Sequence, residues 1–241
     1  MERGDSVYLV SDNCASTLGQ AAKPVNWRPH DVPLKREPPL IQTFLFDMGN
    51  VLVSFCHDRM CRQMGTLCEL SGPEVRRLLI DTGLQWDFER GQVTPDEFHL
   101  KFEEAVATKV DQRELALASA DIFTPNVSLQ PVLAELKARG HRLVLLSNTT
   151  IWHFEFVRDH FDVLKPFDDF VLSCHAGAMK PDAPIYEAAL RVIHCDPGDC
   201  FYTDDIPDYI AAARKYGLDA EVFTDTADLI SQLQLRGIFV A

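Results

Sequence analysis

The sequence predicts an α/β protein: a Rossmann-like parallel sheet with helices on both faces, and a small helical cap inserted after the first strand. Three observations predict it. Short apolar runs that end in polar residues recur at 43–46, 142–147, 170–173 and 200–203. Helix-patterned segments separate the later runs. A long stretch from Asp58 to Phe123 has helical character and no strand-like interruption. Strand–helix alternation brings parallel strands side by side and covers both faces of the sheet with helices.

The elements follow in order. Residues 1–40 carry Pro24, Pro29, Pro33, Pro38 and Pro39, and closely spaced prolines interrupt helices and interior strands, so this segment reads as an irregular arm. The core occupies 41–57 and 124–241, with the cap at 58–123. Thr43-Phe44-Leu45-Phe46 is a buried strand that breaks at Asp47-Met48-Gly49-Asn50,. In the cap, Ser71 and Pro73 open one helix over 73–80. Thr94 with Glu97 forms a capping box for another. Trp86, Phe88, Phe98 and Phe102 read as cap core. Beyond the cap, residues 129–139 form a helix closed by Gly140. There follow a strand over 142–148, a helix over 152–161, a strand over 170–173 and a helix over 183–193. A strand over 200–205, a helix over 208–216, a strand over 221–223 and a helix over 225–235 complete the chain.

Hydrophobic residues make up 46% of the 241, enough for a buried core,. The net charge of −13 disfavours nucleic acid and anionic membranes as partners,. Seven cysteines lie scattered without a CxxC pair, unlike a disulfide framework or a structural zinc site. No apolar run is long enough to span a bilayer, so the chain reads as soluble and cytoplasmic.

Ligands of open parallel sheets bind beyond the carboxyl ends of the strands. Asp47, Gly49 and Asn50 follow the first strand. Ser147, Asn148 and Thr149 follow the second, and Asp204 and Asp205 follow the fourth. Met179-Lys180-Pro181 lies in a loop before a helix. Carboxylates gathered at one edge repel unless a hard cation such as Mg²⁺ joins them through oxygen, and Mg²⁺ commonly shares its shell with phosphate. Lysine and serine then supply charge and a hydrogen bond to that phosphate.

The run Phe44–Val53 resembles the first motif of the haloacid dehalogenase-like hydrolase superfamily. Leu145-Leu146-Ser147-Asn148-Thr149 resembles the second. Lys180-Pro181-Asp182 with Pro184-Ile185-Tyr186 resembles the third, and Phe201-Tyr202-Thr203-Asp204-Asp205 the fourth. Phe88-Glu89-Arg90-Gly91, with Thr94 and Phe98, is similar to a cap motif of the branch holding a sugar-1-phosphate phosphatase and the phosphatase domain of soluble epoxide hydrolase. The resemblance implies a Mg²⁺-dependent phosphatase of a small phosphorylated metabolite, with a sugar phosphate favoured. Asp47 would be the nucleophile that forms an aspartyl-phosphate. The metal would be held by Asp47, the carbonyl of Gly49, Asp204 and Asp205. Phosphate would be bound by Ser147, Lys180 and backbone groups at Met48 and Asn148, with Lys180 lowering the Asp47 pKa. Asp208 or Tyr209 would orient the metal ligands.

One position departs from the pattern of most phosphatases in the superfamily. They carry a second Asp two places after the nucleophile as acid and base, and here that place is Gly49. The expected result is a bias towards leaving groups that need little protonation. His57 is the nearest substitute acid in the sequence, although an ordinary helix-terminal role suits it better. Two other readings remain open on the sequence: a metal-free 2-haloacid dehalogenase, and a phosphate binder that has lost turnover.

Overall fold

The computed structural model describes residues 41–240. The proline-rich arm, 1–40, lies outside the described residues.

Five strands form the main sheet: β1 (Thr43–Phe46), β4 (Arg142–Ser147), β5 (Asp169–Leu172), β6 (Cys200–Asp204) and β7 (Asp219–Val222), in the order β5-β4-β1-β6-β7. All four pairings are parallel. β1 is central, with Phe46 level with Leu145 of β4 and Thr203 of β6. Its four residues are all buried, as expected of a strand covered on both faces.

Alternate side chains divide the interior into two layers. Leu45, Val144, Leu146 and Tyr202 pack on one face against Ile185, Tyr186 and Ala189 of α9 (Ala183–Val192) and Ile210 and Ala213 of α10 (Pro207–Lys215). Phe44, Phe46, Leu143 and Leu145 pack on the other. There they meet α6 (Gln130–Ala138), α7 (Ile151–His160) and α11 (Thr226–Gln234).

The chain leaves β1 into the cap through β2 (Val53–Phe55) and returns through β3 (Phe123–Pro125). These two strands pair antiparallel, Val53 opposite Pro125 and Phe55 opposite Phe123. The sequence reading has no strand at either place, because three residues are too few to show a two-residue period. Between them lie α1 (His57–Thr66), α2 (Gly72–Arg76), α3 (Leu84–Glu89), α4 (Pro95–Val106) and α5 (Gln112–Ala120). The helix expected over 73–80 is regular only to Arg76 and continues as a wider π turn over Arg77–Asp81, with Thr82 Oγ1 donating to Leu78 O at its end. The expected capping box forms at Thr94 with Glu97, and Ser71, expected as an N-cap, forms a second box with Glu74. Phe88, Phe98 and Phe102 are buried, and Phe88 and Phe98 stack on each other and meet the edge of Trp152 of α7. The cap interior is therefore continuous with one layer of the core.

Candidate active site

The site stands where the carboxyl ends of β1, β4 and β6 meet. Asp47 follows β1, and its amide donates to Thr203 O of β6 at 3.1 Å. Beyond it the chain turns tightly: the amides of Leu52 and Val53 donate to Met48 O, and Asn50 N donates to Val53 O at 2.7 Å. Asn50 takes a left-handed backbone, φ 55°, which asparagine tolerates better than most residues. Its Nδ2 then reaches Asp205 Oδ2 at 2.9 Å, tying the β1 loop to the end of β6.

Lys180 comes from the loop before α9 and is 3% exposed. Its Nζ donates to Asp47 Oδ1 at 2.6 Å, Asp204 Oδ2 at 2.6 Å and Leu146 O at 3.0 Å. Those three bonds use all three ammonium hydrogens. Asn148 fixes the lysine backbone from both sides: Lys180 N donates to Asn148 Oδ1 at 2.7 Å and Asn148 Nδ2 donates to Lys180 O at 3.1 Å. Asp204, 1% exposed, also accepts from Tyr202 Oη and from Ile206 N.

Ligand oxygens of Asp47, Asp204 and Asp205 all lie within 4.8 Å of one another. Three carboxylates against one ammonium leave an excess of negative charge, and an all-oxygen donor set suits a hard divalent cation. Asp205 has the most freedom to serve as a ligand, since it is less buried than its neighbours and accepts from Asn50.

Burial pushes the Asp47 carboxyl up, to about 7; Lys180 pulls against that rise and Asp204 adds to it. Lys180 thus acts in the direction the sequence suggests but is outweighed by desolvation. Lys180 is itself held as a firm cation by its two carboxylates, against the effect of burial.

A cavity of about 240 Å³ opens on these groups. Asp47, Met48, Gly49, Asn148, Lys180 and Asp205 line its polar end. Ser147 and Asp204 are not among the lining residues; Ser147 is 1% exposed, and its Oγ makes a long 3.4 Å bond to Asn148 O. Thr149 lines the cavity beside Asn148. Tyr209 lines it too and accepts from Asn148 at 3.4 Å, whereas Asp208 is exposed.

The remaining wall comes from Phe55, His57, Trp86, Glu89, Ile122, Phe123, His153, Met179 and Ile206. Trp86 is therefore a wall of the cavity and not cap core, because α3 turns Phe88 inward and Trp86 towards the site. Glu89 and His153 were not expected here. Glu89 lies within the quoted cap run, but sequence spacing alone does not say which face of a short helix meets a cavity. Burial lowers the pKa of His57, with Arg76 adding to the effect. Burial lowers that of His153 to about 4 and raises that of Glu89 to about 7. At Gly49 a Cβ would stand 2.9 Å from the Phe55 ring, so that ring occupies the space beside the loop that follows β1.

A family model described as haloacid dehalogenase-like hydrolase matches residues 41–217, most of the chain. The chain belongs to the haloacid dehalogenase-like hydrolases. Among curated relatives, it is 25% identical over 195 residues to sesquiterpene phosphatase astK of Aspergillus oryzae, covering 80% of this chain and 93% of that one. It is 22% identical over 187 residues to D-ribitol-5-phosphate phosphatase of Bacteroides thetaiotaomicron, covering 75% and 90%. Among solved structures, a HAD family enzyme of Bacteroides thetaiotaomicron in complex with magnesium and inorganic phosphate superimposes with a TM-score of 0.69. That match is at 22% identity and covers 78% of this chain and 98% of the other. The likeness shows the haloacid dehalogenase-like fold, with its parallel sheet and helices.

Proposed function

We propose that this hydrolase is a magnesium-dependent phosphatase of a small phosphorylated metabolite, acting through an aspartyl-phosphate on Asp47. The observation that carries the reading is the convergence of Asp47, Asp204 and Asp205 around Lys180 at a cavity. The phosphatase names of the two relatives support it, as does the magnesium and phosphate complex of the structural neighbour.

Asp47, Asp205 and the carbonyl of Gly49 would hold the ion. Asp204 would contribute its charge while its oxygens stay engaged with Lys180, Tyr202 and Ile206. Bound there, Mg²⁺ supplies positive charge to the phosphoryl oxygens and to the nucleophile. Lys180 fixes the Asp47 carboxylate by a 2.6 Å bond, so the attacking oxygen enters the reaction already oriented. That oxygen bonds to phosphorus as the ester oxygen departs with its electron pair. Water then cleaves the aspartyl-phosphate and releases inorganic phosphate. Asn148 keeps Lys180 in register, and Trp86 and Glu89 help close the cavity against bulk water. No carboxylate at position 49 assists the departing oxygen, so esters of more acidic alcohols react fastest.

Phosphate release from p-nitrophenyl phosphate with Mg²⁺, with EDTA, and from Asp47→Asn tests this. Release should need Mg²⁺ and fall by about a thousandfold or more in the variant. Halide release from a 2-haloacid without metal, and no phosphate release, would overturn it.

A further inference from the structure

Beyond the acid cluster and Lys180, most of the cavity lining is apolar. Phe55, Trp86, Ile122, Phe123 and Ile206 supply most of it. The Phe55 and Phe123 rings lie 6.3 Å apart at 57°, and the His57 ring lies 5.0 Å from Phe55, an aromatic corner suited to a flat or branched apolar group. Lys180 is the one lysine or arginine among the lining residues, and its three hydrogens are already committed.

We propose that the organic part of the substrate is a small, uncharged and largely apolar alcohol (benzylic, allylic or aryl) and not a polyol or a group bearing a second anion. The proposal rests on the phosphatase reading above, and it departs from the sugar phosphate that the family resemblance implies.

Charge decides the second anion. A further phosphate or carboxylate would enter a cavity with no uncommitted lysine or arginine, beside three carboxylates and in a chain of net charge −13. Hydrogen bonding decides the polyol. Each hydroxyl taken from water needs a partner, and an unpaired one is penalised. The polar groups on this wall are few and partly engaged. Glu89 Oε1 accepts from Gln85 at 3.0 Å, and the buried His153 ring packs against the edge of Phe123. Burial keeps His153 uncharged near neutral pH, lowers the pKa of His57 and raises that of Glu89 to about 7. Size points the same way, since about 240 Å³ falls below the roughly 300–1,000 Å³ of cavities for drug-sized ligands.

Benzyl phosphate and glycerol 3-phosphate leave as alcohols of similar acidity, so comparing them separates recognition from leaving-group reactivity. With Mg²⁺, kcat/KM should favour benzyl phosphate by about tenfold or more, mainly through KM. Trp86→Ala should narrow that ratio. On the unaltered enzyme, benzylphosphonate should compete at lower concentration than 2,3-dihydroxypropylphosphonate, a readout that does not depend on a variant folding. Equal or reversed preference, with p-nitrophenyl phosphate still hydrolysed, overturns the substrate class and leaves the phosphatase reading standing. No hydrolysis of any of the three esters overturns the phosphatase reading and the substrate class with it.

Discussion

The ring of Phe55 fills the space that a carboxylate at position 49 would need, with 2.9 Å left for a Cβ. Gly49→Asp alone should therefore lower kcat by about tenfold or more through displacement of the loop that carries Asp47. Phe55→Ala added to it should recover part of that loss, as steady-state kinetics on p-nitrophenyl phosphate would show. Lys180 presents the opposite situation, a buried cation whose removal strands two carboxylates. Lys180→Met should abolish turnover and cost about 3–5 kcal/mol of stability in EDTA, read by denaturant unfolding. Addition of Mg²⁺ should return part of the stability. The nucleophile candidate and the paired acids were legible in the sequence because each follows a strand that an apolar run marks, and the lysine because it stands in a loop just before a helix. Glu89 and His153 were not. Their part in the cavity depends on how α3 and α7 rotate against the sheet, which residue type does not encode.

Among the elements, the end of α3 joins the cap to the core through a hydrogen bond and a close backbone approach. Ser173 Oγ, at the start of α8 (Ser173–Ala176), donates to Glu89 O at 2.6 Å and accepts from Thr149 N at 2.8 Å. One hydroxyl thus links the cap to the loop after β4. Next to it, Gly91 has φ 69°, and a Cβ there would stand 2.0 Å from Cys174 O. Gly91→Ala should lift the cap from the core: KM rises, and stability falls by about 1–3 kcal/mol, the scale of strain at a special backbone position. Unchanged KM and melting temperature would contradict this. The capping box at Thr94 was readable because it depends on residues three apart in the chain, and Ser71 was readable as the cap of a helix with Pro73 in its first turn. β2 and β3 were not, since each gains its strand character only from the other.

For the molecule as a whole, two buried cavity residues push the pH dependence of stability in opposite directions. Unfolded, a histidine like His153 binds a proton below about 6.5; folded, it stays neutral down to about 4. It therefore makes stability rise with pH across that window. Glu89 keeps its proton to about pH 7 when folded and releases it near 4.5 when unfolded, so it makes stability fall with pH between those values,. Between pH 4.5 and 6.5 the two slopes, each about 1.4 kcal/mol per pH unit, offset each other. Relative to the unaltered protein, in which Asp47 adds a falling contribution of its own, Glu89→Gln should tilt the slope upward with pH and His153→Gln downward, measured by denaturant unfolding across that range. The architecture itself was legible because its strands alternate with helices in chain order, while the arm at 1–40 lies outside the described residues. The narrow stem made by β2 and β3 has a further consequence. Because the insert departs and returns at adjacent points, its length and sequence can drift without altering the register of β1 against β4 and β6. Substrate choice and phosphoryl chemistry can thus evolve as separate traits, one carried by a graft and the other by its rootstock.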